Sequence, residues 1–194
     1  MQFAEAEKHI LYRLQHELDN KLSYHSIDHT IDVYHKTLEI AQLEGITNTK
    51  DLILLKTAAL FHDAGFIYND QNHEQMSIEI AQSTLIQFDY TPAAIEQICI
   101  LIEATKIPQK PTNKLAEILA DADLDYLGRD DYYTIADTLF QEFKYKSIIK
   151  TEEEWLKIQI SFLENHSYFT KTSIDRRSIQ KLKRLEELRN TIKR

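Results

Sequence analysis

Backbone breakers are scarce in this chain, with three glycines and three prolines in 194 residues. A sheet protein built on tight turns draws heavily on both residue types, so their scarcity favours long helices. Cysteine is nearly absent too. Cys99 stands alone, so no internal disulfide can form, and a reducing compartment is permitted. Its apolar neighbours Ile98, Ile100 and Leu101 make it a core thiol rather than a nucleophile. Cations are in deficit, 23 Lys plus Arg against 31 Asp plus Glu, for a net charge of −8. Gripping a nucleic-acid backbone needs clustered Lys and Arg, so no nucleic-acid partner is expected. A small phosphate ester bound through a metal ion is compatible with this charge. Long apolar runs are missing as well. Ala58 to Phe61 with its neighbours is far too short to span a bilayer, and Met1 to Lys8 carries Glu5 and Glu7 in place of an apolar signal core. A cytoplasmic protein without membrane association is expected.

What is present is helical periodicity with matching start and stop signals. The length suits one domain spanning residues 1–194. Helices are expected from Phe3 to Leu18, from an N-cap at Ser26 to Gly45, from after Thr49 to Gly65, and from an N-cap at Asn72 to Phe88. A fifth starts with Thr91 as N-cap and Pro92 in the first helical position, where its missing N–H costs nothing. A sixth runs from Asn113 to Leu127, a seventh follows Asp130, an eighth opens on a capping box at Thr151 and Glu154, and the last covers Ile174 to Ile192. All three glycines fall at expected helix ends, where a left-handed C-cap wants them. The predicted fold class is therefore all-α. The third helix is apolar almost all round and belongs in the middle of the fold. In the second, Ile27, Ile31, Tyr34, Leu38 and Ala41 make one buried stripe and His29, Val33 and Ile40 another.

His62 and Asp63 close that apolar third helix, where polar groups must be satisfied. Adjacent helical residues diverge by about 100°, so the two do not pair with each other, but both can reach an ion beyond the helix end. An imidazole and a carboxylate suit Mn, Fe, Co, Ni, Zn or Mg to different degrees. Two other stretches can complete the set. His25 and His29 lie four apart at a helix start, with His29 on an inward stripe and His25 just outside the helix. In Asp121-Ala122-Asp123, Asp123 sits at the edge of the buried arc made by Leu115, Ile118, Leu119, Ala122 and Tyr126, and Asp121 points further away. Asp123 is the expected ligand and Asp121 the alternative.

The order His29, His62-Asp63, Asp123 resembles the H…HD…D signature of the HD superfamily of metal-dependent phosphohydrolases. Tyr24-His25 through His29 is similar to the Tyr-His-x-x-x-His entry of many phosphohydrolases and cyclic nucleotide phosphodiesterases of that superfamily. His73-Glu74-Gln75-Met76-Ser77 resembles a His-Glu-x-x-Ser stretch that follows the HD pair in several branches. Asp121-Ala122-Asp123-Leu124 through Leu127-Gly128 resembles the ending found in a group of predicted HD phosphohydrolases. That group also carries an acidic residue in the following helix, matched here by Glu142, and a Tyr-x-Thr, matched by Tyr168-Phe169-Thr170. The likeness covers residues 24–128 well and the C-terminal extension, residues 130–194, weakly.

The resemblance implies an HD-domain helical bundle with additional C-terminal helices and one divalent metal ion on His29, His62, Asp63 and Asp123. One ion is favoured because His73 is the only histidine between the HD pair and Asp123, whereas dinuclear members carry more. The implied activity is hydrolysis of a small, nucleotide-like phosphoester. His25, His73 and Glu74 are the catalytic candidates, and Lys106 and Tyr126 are candidates for contact with substrate. A cyclic nucleotide phosphodiesterase and a non-catalytic module binding a nucleotide or protein are the rival readings. His9, His16, His35 and His166 read as surface or packing residues. The basic residues of the last helix (Arg176, Arg177, Lys181, Lys183, Arg184, Arg189, Lys193 and Arg194) read as a solvated face paired with Glu186 and Glu187. A docking surface for an acidic partner or a second copy of the chain is the alternative there.

Overall fold

The computed structural model describes residues 1–68 and 71–192. Among them there is no strand. The helices are α1 (Phe3–Glu17), α2 (Ile27–Leu43), α3 (Thr49–Phe61), α4 (His73–Leu85), α5 (Pro92–Glu103), α6 (Lys114–Asp123), α7 (Tyr132–Tyr145), α8 (Glu152–Asn165) and α9 (Lys171–Ile192). Three single 3-10 turns, Ala64–Ile67, Ile86–Phe88 and Asp125–Gly128, finish α3, α4 and α6. The fold is all-α, as composition and periodicity predict. No helix among the described residues is long and apolar enough to cross a membrane.

Two apolar clusters hold it. The larger gathers α1 to α6 around α3, whose residues Leu54, Leu55 and Thr57 to Phe61 are all buried. That burial agrees with the near-uniform apolarity of α3. The smaller joins Tyr24, Leu124, Tyr126 and Leu127 to Tyr132 and Ala136 of α7, Leu163 of α8 and Leu185 and Leu188 of α9. The C-terminal helices thus build their own core on the end of α6, and Tyr24 and Tyr126 belong to it.

Several local expectations are corrected. The N-cap of α3 is Asn48, whose side chain accepts from the N–H groups of Lys50 and Asp51. Ser26 and Asn72 make no side-chain cap, and Asn72 is left-handed at φ 57°. Thr91, Asn113 and Thr151 cap as expected, the last in a full capping box. The buried stripe of α2 is Thr30, Val33, Thr37, Ile40 and Ala41, with Ile27, Ile31, Tyr34 and Leu38 only partly covered. Threonine hydroxyls can return a hydrogen bond to the preceding turn, as Thr30 does to Ser26 O, and so tolerate burial that their polarity hides. Cys99 is half-buried against the larger core rather than inside it.

Of the three glycines, only Gly45 is a left-handed C-cap, at φ +76°. Gly65 and Gly128 are glycine because another backbone passes too close. A Cβ on Gly65 would overlap the His73 carbonyl, and one on Gly128 would overlap the main chain of Arg177.

Part of the basic face of α9 is used for attachment, while Lys183 is exposed as a solvated face would have it. Arg177 makes a bidentate pair with Asp125 at 2.7 and 3.0 Å, Arg176 reaches Glu39 at 2.7 Å, and Arg189 reaches Glu164 at 2.6 Å. Lys181 is buried and donates to the carbonyls of Leu163 and His166. Arg184 pairs with Glu187 and lies over the Tyr133 ring. Lys193 and Arg194 lie outside the described residues. His166 packs beneath α9, where burial, and then the Lys181 charge, pushes its imidazole down to about 3.

Candidate metal centre

Three helices deliver the site. His29 stands in the first turn of α2, His62 and Asp63 follow the last residue of α3, and Asp123 is the last residue of α6. α2 packs on both α3 and α6. His62 and Asp63 sit where the helix gives way to the Ala64–Ile67 turn, whose backbone change lets adjacent side chains converge.

His29 Nε2 lies 3.4 Å from His62 Nε2, 3.4 Å from Asp63 Oδ2 and 3.3 Å from Asp123 Oδ1. His62 Nε2 lies 3.2 Å from Asp63 Oδ2 and 3.5 Å from Asp123 Oδ1. These separations are long for charge-assisted hydrogen bonds. They match the edges of a coordination shell, since ligand atoms about 2.1 Å from one ion and roughly 90–110° apart lie about 3.0–3.4 Å from each other. The His62 ring is pre-oriented for a cation. Its Nδ1 donates to the Ala59 carbonyl at 2.8 Å, which leaves the Nε2 lone pair aimed at the cluster.

Charge makes the same case. Burial alone would lower both imidazoles and raise both carboxyls. The attraction across the cluster outweighs it, so Asp123 and Asp63 hold His29 up at about 9 and His62 well above the usual range. The imidazoles in turn hold the Asp63 and Asp123 carboxyls down. Two buried carboxylates therefore demand two positive charges, which protons on the histidines or one divalent cation can supply. Two imidazoles and two carboxylates are a donor set for Mn, Fe, Co, Ni or Zn, with Mg weaker at nitrogen.

Beside the cluster, His73 Nε2 lies 3.6 Å from Asp63 Oδ1 and 3.5 Å from Glu74 Oε1. Both residues open α4, and the close approach at Gly65 sets their distance from Asp63. Glu74 is buried, and Ser77, one turn on, accepts from the Gly65 N–H at 2.8 Å. His25 is held by Glu142 of α7, whose Oε1 lies 2.6 Å from His25 Nδ1 and whose Oε2 accepts from the N–H groups of Tyr24 and His25 at 3.0 Å. Phe66 lies between the two outer histidines, stacked on His25 at 4.0 Å and on His73 at 4.2 Å.

A cavity of about 180 Å³ opens from this point, lined by Asp63, Asp123, His73, Glu74 and His25 at one end. Tyr126 lines it as well. Lys106 does not. Its side chain is exposed, although its neighbours Thr105 and Ile107 reach the wall, so its placement gives no support to contact with substrate. Asp121 does not point away to solvent. It is fully buried and accepts from the N–H groups of Phe169 and Thr170 at 2.9 and 2.7 Å and from Thr170 Oγ1 at 2.7 Å. It anchors the strap before α9 and lies outside the group whose ligand atoms all fall within 4.8 Å of one another, which is His29, His62 and Asp123. Sequence reasoning missed Phe66 and the walls supplied by α7 and α8, because aromatic and leucine side chains on an amphipathic helix read as core.

No curated protein and no solved structure matches the chain. The family model described as HD domain matches residues 26–125, just over half of the chain. The matched segment begins in the turn before His29 and ends just beyond Asp123, so it encloses the four convergent side chains, and the chain belongs to the HD domain family.

Proposed function

We propose that the protein hydrolyses a small, nucleotide-like phosphoester, using one divalent ion held by His29, His62, Asp63 and Asp123. The observation that carries this reading is the meeting of those four side chains, of which Asp63 and Asp123 line a cavity large enough for a ligand. A purely structural ion would sit closed off from solvent-accessible space.

When bound, the ion supplies Lewis acidity to a phosphoryl oxygen and makes water a stronger acid. The chain's residues do the rest. Glu74, buried beside His73, takes the proton of the attacking water as its oxygen bonds to phosphorus. His25, fixed at Nδ1 by Glu142, presents Nε2 to the cavity and protonates the leaving oxygen as the ester P–O bond breaks. His73 holds Asp63 and Glu74 in place and faces the phosphoryl group. The cavity takes its walls both from the matched region and from α7 and α8, which supports reading the chain as one domain.

The test is turnover. Purified protein is supplied with Mn, Co or Ni and offered nucleoside mono- and triphosphates, cyclic nucleotides and simple phosphate monoesters. Release of phosphate or ring opening, abolished by Asp63→Ala in a protein of unchanged helical content, supports the reading. Metal binding without turnover of any ester would leave a binding module instead.

A further inference from the structure

Asp63 and Asp123, with His25, His73 and Glu74, occupy one end of the cavity only. Its other end is a chamber between α7 and α8, lined by Leu139 and Phe143 of α7 and Trp155 and Phe162 of α8, with Tyr126 and Tyr132 behind them. Leu139, Phe143, Trp155 and Phe162 are half-buried, whereas Ala136 and Leu163 on the same helices are covered. Phe143 meets Trp155 edge-on at 5.7 Å, and Gln159 donates to the Tyr132 hydroxyl at 2.9 Å, so that hydroxyl of the rear wall is already paired. Among the described residues, no Lys or Arg lines the cavity, and Asp63, Glu74 and Asp123 are its carboxylates. A triphosphate would carry its extra charge into a wall with no side-chain cation to meet it. The size is equally restrictive, because the whole cavity, its carboxylate end included, measures about 180 Å³, and an apolar cavity of about 150 Å³ already accepts a benzene ring.

We infer that the alcohol half of the substrate is a compact, uncharged aromatic ring, or an apolar group of that size, seated between α7 and α8 while a single phosphoester faces His25 and the metal ligands. This rests on the hydrolase reading for the phosphoester half and narrows its alcohol from a whole nucleoside to a ring-sized group; the ring site itself stands on the chamber. The part of the chain outside the family match would thus set which ester is cleaved. An uncharged ring gains by leaving water for that wall, and a polyol gains nothing there.

Trp155 is the only tryptophan and lines the chamber, so its emission reports occupancy without turnover. The full chain, stripped of ions with a chelator, is titrated with benzyl alcohol and, separately, with glycerol. A saturable change in Trp155 emission with benzyl alcohol and none with glycerol is expected. Ala136→Phe, which fills the chamber from α7, and Leu139→Gln, which makes its wall polar, should each weaken that response at least tenfold and leave divalent-ion content unchanged. In the second arm the ion-loaded protein should cleave benzyl phosphate with a kcat/KM at least tenfold above that for glycerol 3-phosphate. No response to benzyl alcohol, or an equal response to glycerol, overturns the proposal. So does an equal kcat/KM for the two esters. If Trp155 responds as expected and neither these esters nor the wider panel is cleaved, the ring site stands and the hydrolase reading fails.

Discussion

Nδ1 of His25 lies 2.6 Å from Oε1 of Glu142, a carboxylate that is fully buried and comes from a helix beyond the family match. The same carboxylate accepts the main-chain N–H groups of Tyr24 and His25 and a hydrogen bond from Lys146 at 3.1 Å. It fixes both the ring and the backbone of the residue that faces the ester. Glu142→Gln keeps the shape and removes the charge. Activity should fall about 10- to 100-fold, the usual cost of disturbing a partner that orients a reactive imidazole. Bound metal should stay at the wild-type level. Steady-state rates and elemental analysis on one preparation check both.

Glu142 also ties the fold to pH. Burial alone would raise its carboxyl, but His25, the two N–H groups and Lys146 outweigh that and bring it to about 2, against an ordinary 4.5. A carboxyl depressed on folding contributes stability above its unfolded pKa and loses it as pH falls towards the folded one. Wild type should therefore lose on the order of 3 kcal/mol between about pH 5 and 2 from this group. Denaturant melts across that range should show a smaller acid loss for Glu142→Gln than for wild type.

The metal cluster gives the opposite sign. His29 stands at about 9 in the ion-free protein against an ordinary 6.5, held up by Asp123 and Asp63 against burial. Its contribution to ion-free stability is full below about 6.5 and lost as pH rises through about 9. An ion must displace that proton, so apparent affinity should climb with pH up to about 9. Calorimetric titration at pH 7 should show proton release as a heat that changes with the ionisation enthalpy of the buffer. The gap in melting temperature between loaded and stripped protein should widen from pH 6.5 to 9.

Asp121 and Asp123 are two residues apart and do different work. Asp123→Ala should abolish stoichiometric ion binding and leave the ion-free helical content intact. Asp121→Ala should do the reverse. It orphans the N–H groups of Phe169 and Thr170, at a cost of about 2–4 kcal/mol, with divalent binding retained once the protein is folded. Urea melts and equilibrium dialysis on the pair separate the two roles.

Gly65 controls how closely α4 approaches the site. A Cβ there would overlap the His73 carbonyl and Met76. Gly65→Ala should push the start of α4 outward, destabilise the fold by about 1–3 kcal/mol, and lower turnover more than it lowers ion affinity, because His73 and Glu74 move while the four ligands do not.

The helical class was legible in the scarcity of glycine and proline and in the caps at Thr91, Asn113 and Thr151, each of which depends on neighbours within three or four residues. The grouping of His29, His62 and Asp123, with Asp63 beside both histidines, was legible from their places at helix ends together with the order of the motif. Longer-range facts were not. Gly65 and Gly128 read as C-caps because no local pattern tells a glycine needed for a left-handed turn from one needed for the close passage of His73 or Arg177. Asp121 read as pointing away because the strap that buries it, Tyr168 to Thr170, lies almost fifty residues along the chain. The charges of α9 read as solvated because their partners Asp125, Glu39 and Glu164 belong to other elements. The chamber was hidden for the same reason: Trp155 and Phe162 satisfy a helical stripe whether they face hydrocarbon or a ligand.

Anomalous X-ray scattering from crystals of the manganese-loaded protein locates the ion. A single strong anomalous peak is expected, with His29 Nε2, His62 Nε2 and one oxygen each of Asp63 and Asp123 within about 2.0–2.3 Å of it. Absence of a peak between those side chains at full manganese loading, or a peak that leaves Asp123 out of bonding distance, would contradict a metal centre built on these four residues.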